Sequence, residues 1–185
     1  MSRHTRGETA PEQQDGLYTS LSKMDAWEYR FRIVTEAISW RQYFPESGGV
    51  TRVDKQPEGE PSDGKVTDYW QSTRKFFYAF GVVNVDTLDV SIMHLDKMGV
   101  VRDLENYSND PDYGDPRWYD IVIVKQWSWK DTKYSMKVKP PKEVTKEILE
   151  ASSMYEFDLD QYYVAKGTPI KKLSILDQDD DESPL

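Results

Sequence analysis

The chain has 185 residues, a net charge of −9 from 33 acidic and 24 basic side chains, no cysteine and two histidines. That length supplies one domain with a sizeable core, while the missing cysteines exclude disulfides, thiol nucleophiles and thiolate-held metal or iron–sulfur sites. The acidity disfavours direct nucleic-acid binding, because neutralising phosphates takes clustered cations.

Residues 1–16 are polar, mixed in charge and poor in aliphatics, which predicts a flexible N-terminal arm without the apolar stretch of a secretory signal. The longest aliphatic run, Ile121 to Val124, is far short of a membrane span. A cytoplasmic protein, or one held within a soluble assembly, is the expectation. Between 23 and 44 two periods compete. Trp27, Tyr29, Phe31 and Ile33 alternate as in a strand, but Glu28, Arg32, Thr35, Glu36, Ser39 and Gln42 trace a polar stripe at helical spacing. The longer window favours a helix from about 23 to 44, stopped by Pro45. The Gly-, Pro- and charge-rich stretch 45–66 reads as a mobile loop. A second helix is expected over 67–80, with Thr67 as N-cap and Gly81 just past its end.

After Gly81 the period becomes two. Leu88, Val90 and Ile92 lead through DKMG into VVRDL, which predicts a hairpin pairing Ile92 with Leu104 and His94 with Arg102. A second hairpin is expected from WYDIVIVKQWSW through KDTK into YSMKV. Pairing Trp129 with Tyr134 sets Trp127 opposite Met136 and Lys125 opposite Val138, and places both tryptophans on the apolar, core-facing side. Pro140 and Pro141 precede a third helix, KEVTKEILEASSMY, and one or two short strands or an extended arm follow between 160 and 176. Residues 177–185 form an acidic tail expected to be disordered. Taken together, 17–176 read as a single α+β domain. Its expected architecture is an antiparallel sheet of about four strands, in two consecutive hairpins, packed against two N-terminal helices and one C-terminal helix.

His4 and His94 are too few and too scattered for a histidine metal site, no serine sits in a GxSxG elbow, and no glycine loop suits a phosphate. No cofactor is therefore expected. The stretch NYSNDPDYGDPRWYD, 106–120, separates the two predicted hairpins, and loops of that length are often functional. Asp110, Asp112 and Asp115, with Asp120 at the end of the stretch, offer hard oxygen ligands there, although their spacing departs from an EF-hand loop. Tyr107, Tyr113, Trp118 and Tyr119 are candidate hot spots for a protein partner. Lys133, Lys137 and Lys139 form a basic run suited to an acidic surface, including the acidic tail of a neighbouring copy.

Aromatic side chains make up 13% of the chain, and such residues dominate interface hot spots. This favours a non-catalytic interaction or assembly protein that binds a protein partner or itself, as in a structural component of a larger complex or a virus particle. The alternative is an acidic inhibitor or adaptor occupying a basic surface of a nucleic-acid-processing protein. A hydrolase using two carboxylates comes third.

Overall fold

A computed structural model describes residues 17–24, 27–43, 51–53, 76–127, 131–163 and 167–174. The expected arm at 1–16, most of the 45–66 loop, residues 67–75 of the second predicted helix, Trp129 and the acidic tail lie outside the described residues.

The fold is organised on β5 (Phe76–Asn84), a strand flanked on both edges, whose Ala79, Phe80, Val82 and Val83 are buried on its two faces. One edge pairs with β6 (Val90–Leu95). The other edge is shared by two strands. β2 (Glu28–Ile33) pairs with the C-terminal half of β5, and β3 (Ile38–Tyr43) with the N-terminal half. β4 (Thr51–Val53) joins β3. Beyond β2 come β7 (Asp120–Trp127) and β8 (Thr132–Val138), and β1 (Tyr18–Ser20) lies parallel to β6 at the far end. The main path thus runs β1-β6-β5-β2-β7-β8 with one parallel pair, and β3 and β4 branch from β5.

The branch begins at a bulge. Ile33 pairs with Val82 and Ile38 with Ala79, so five residue steps oppose three. The displaced ladder is repaired locally. Val34 N donates to Gly81 O at 2.9 Å, and the Thr35 hydroxyl accepts from Gly81 N at 2.8 Å. Position 81 has no room for a side chain, since a Cβ there would lie 2.6 Å from the Phe157 ring and 2.8 Å from Thr35 Cγ2.

Alternation along the strands builds two cores. Phe31, Ile33, Phe80, Val82, Ile121 and Ile123 face α1 (Met98–Asn109), which contributes Val100, Val101 and Leu104. On the opposite face Ala79, Val83 and Ile92 meet Ile148 of α2 (Lys146–Ser153). A small antiparallel pair, β9 (Tyr155–Phe157) with β10 (Ile170–Lys172), completes that layer. Among the described residues no helix is long and apolar enough to cross a membrane.

This architecture corrects the four-strand, three-helix expectation: the sheet is larger and mixed, a second two-stranded sheet is present, and the described residues hold two α-helices. Within the predicted helix at 23–44, residues 28–33 and 38–43 are the interrupted strand β2–β3, and the end of the predicted helix at 67–80 is the start of β5. Residues 98–109 form α1 rather than the return strand of a hairpin, so Ile92 pairs with Gly81 and Tyr18 instead of Leu104. The second hairpin forms, with Trp127 opposite Thr132, Lys125 opposite Tyr134 and Ile121 opposite Val138. That register differs from the expected one by four residues. An even shift keeps each side chain on its face but changes its depth along the strand.

Candidate functional site

Three features of the sheet concentrate chemistry. The first is a buried carboxylate. Asp120 opens β7, its side chain is fully buried, and it lies directly across from Arg32 of β2. Arg32 Nε donates to Asp120 Oδ1 at 2.8 Å, and Nη2 lies 2.7 Å from the same oxygen but out of line for a hydrogen bond. Arg30 Nη2 and Nε reach Oδ2 at 2.8 and 3.2 Å, with Lys142 Nζ at 3.1 Å. Arg32 Nη1 also donates to the carbonyls of Arg117 and Lys142. Burial pushes the Asp120 carboxyl up, but the hydrogen bonds from Arg30, Arg32 and Lys142 outweigh it and hold the group below the usual carboxylate range. Three cations on one anion leave a local surplus of positive charge, exposed through Arg30 and Lys142.

The second feature is the loop after α1. Asp110 and Gly114 close a tight turn in which Tyr113 N and Gly114 N both donate to Asp110 O, and Gly114 takes a φ of +66°. Asp110 Oδ1 accepts from Asp112 N at 2.8 Å, and Asp115 caps the following 3-10 turn while gripping Arg117 with both oxygens. Hydrogen bonding from Arg117 lowers the Asp115 carboxyl below its ordinary range. The Asp110 and Asp115 carboxylates thus serve the turn itself, and no group of three or more potential ligands converges among the described residues. Tyr107, Tyr113 and Tyr119 form an edge-to-face ladder, with ring centroids 5.1 and 5.6 Å apart, that packs into the α1 core. Tyr119 is fully buried, so of the four aromatic candidates here Trp118 alone is exposed. Between this loop and the β2–β3 bulge lies an open cleft of about 310 Å³. Its floor is Ile33, Phe80 and Leu104, and its rim carries Glu36, Asp115 and Arg117.

The third feature is aromatic. Lys125 N donates to Trp27 O at 2.8 Å, which continues the β2–β7 ladder and sets Trp27 across from Lys125. Trp127 follows two residues on, so Trp27, Lys125 and Trp127 project from the same face. Trp27 is 68% exposed and Trp127 72% exposed. The core-facing expectation for Trp127 therefore fails, although its face is the expected one. The observed register carries it to the tip of the hairpin, beyond the part of the sheet that α1 covers. Lys97 at the start of α1 closes the inner margin of this face, its Nζ lying 5.8 Å from the centre of the Tyr134 ring.

Lys133, Lys137 and Lys139 are all exposed at β8, on the sheet face opposite the tryptophans. His94 hydrogen-bonds the Tyr162 hydroxyl and meets the Tyr18 ring edge-on, with no strand partner at Arg102. Arg30 and Arg32 stand at strand spacing within an apolar segment, and nothing in the sequence links them to Asp120, which lies 88 residues beyond Arg32. Comparison with protein-family models, curated proteins and solved structures finds no match for the chain.

Proposed function

We propose that the chain is a non-catalytic assembly protein whose copies contact one another through the Trp27–Trp127 face. The supporting observation is the exposure of both indoles on one face. A fully exposed tryptophan offers roughly 250 Å². The observed 68% and 72% exposure then leaves about 350 Å² per copy, or about 700 Å² in a two-fold pairing. That is near half of a standard interface of about 1,600 Å², in its most hot-spot-prone residue type.

Charge gives the proposal a signature. Two copies at −9 each repel at long range, so screening that repulsion strengthens an apolar contact. Size-exclusion chromatography with light scattering, run at low and high salt, tests it. The expected result is a concentration-dependent dimer favoured by salt. A monomer at every concentration and salt overturns it, and a partner complex that dissolves with salt would instead support the acidic-inhibitor reading.

A further inference from the structure

We infer that the outer edge of β8 is a docking site for an acidic, extended peptide of another protein, taken up as an added strand. Lys139 N donates to Asp120 O, which makes the 120–139 pair a hydrogen-bonded one. Bonded and non-bonded pairs alternate in an antiparallel ladder. Residues 133, 135 and 137 therefore turn their backbone groups toward β7, and Thr132, Tyr134, Met136 and Val138 turn theirs outward. Among the described residues β8 has β7 on one side and no strand on the other.

Side chains then select the guest. Lys133 and Lys137 are exposed on one face of this edge, with Lys139 just beyond its end. Across the sheet on that face, Lys137 lies beside Val122, which in turn lies beside Arg30. Arg30 and Lys142 carry the surplus charge around Asp120. The row presented to a newcomer is cationic from the edge inward. A second copy of β8 is a poor occupant. In the fully overlapped antiparallel pairing, centred on Ser135, Lys133 of each copy meets Lys137 of the other, and like charges directly opposite destabilise a strand pair. A guest with carboxylates at alternate positions turns each of those contacts into an attraction, while main-chain bonds to the outward groups supply affinity. This edge and the tryptophan face are different surfaces, so the dimer and the guest strand stand or fall separately.

The test uses the full chain and a synthetic ten-residue peptide with glutamate at every second position and valine or threonine between. Binding is read by fluorescence anisotropy, and backbone contact by amide hydrogen exchange. The expected result is saturable binding that slows exchange at the Tyr134 and Met136 amides. The double variant Lys133→Glu, Lys137→Glu should weaken it by about tenfold or more, and a lysine-for-glutamate peptide should bind that variant in its place, which also certifies its fold. N-methylation of the peptide on its ladder-facing residues should abolish binding. No binding, binding indifferent to N-methylation or charge reversal, or slowed exchange confined to other elements would each overturn the inference.

Discussion

Replacing Asp120 by asparagine removes the charge at the centre of the β2–β7 contact while keeping the side chain's shape. Arg32, 2% exposed at its side chain, is left with two carbonyl partners and no counter-ion. Stranding a buried charge in this way costs about 3–5 kcal/mol, a large part of the 5–15 kcal/mol typical of a domain. Lys142 is 45% exposed, so Lys142→Ala should cost about 1 kcal/mol or less. Equilibrium urea unfolding reads both, as a fall in the midpoint at constant slope. The pH dependence supplies an internal control. The folded carboxyl titrates below its unfolded value near 3.9. Its contribution is therefore complete above that unfolded value and is lost as pH falls toward the folded one. The gap between wild type and Asp120→Asn should stay constant above about pH 5 and narrow below about pH 4. A cost under about 1 kcal/mol at neutral pH, or a gap that widens in acid, would refute the buried-charge argument.

Three further substitutions probe the rest of the frame. Gly81→Ala forces a Cβ against the Phe157 ring and Thr35 and should cost about 1–3 kcal/mol in urea unfolding; adding Phe157→Leu should recover part of that loss. Leu88 holds a φ of 63° in the turn between β5 and β6, so Leu88→Gly should raise the melting temperature by relieving roughly 1 kcal/mol of left-handed strain. The Tyr119 hydroxyl is buried beside Ser108 without a well-aligned hydrogen bond. Tyr119→Phe should accordingly be neutral or stabilising by up to about 1 kcal/mol in thermal unfolding.

How far the sequence could be read depended on which residues broke the simple patterns. The β7–β8 pair was legible because Ile121, Ile123, Met136 and Val138 keep strict alternation and all face the α1 core. Its register was not, since a shift of four leaves every face unchanged and only the depth of Trp127 reveals it. β2 was misread because Arg32 occupies a buried strand position, where a polar residue mimics the stripe of a surface helix. It is tolerated there through Asp120, some 88 residues away in sequence. The spacing of Val100, Val101, Leu104 and Tyr107 already matched a helix, but Gly99 suggested a turn. In the fold that glycine sits in the first turn of α1 with open space around it, so no backbone demand lies behind it. Lys133, Lys137 and Lys139 stand out in the sequence as a basic run, and the fold leaves all three exposed. Tyr107, Tyr113 and Tyr119 were found as a group but play a packing role, because the loop that carries them folds back onto α1.

The most direct test of the assembly proposal compares light-scattering masses of the wild type and of Trp27→Ser, Trp127→Ser at matched concentration and high salt. Both positions are exposed, so the variant should unfold within about 0.5 kcal/mol of the wild type. Wild-type mass should rise toward twice the 21.6 kDa chain, while the variant stays at the monomer mass. Equal masses for the two proteins would contradict it, whether both are monomers or both dimers.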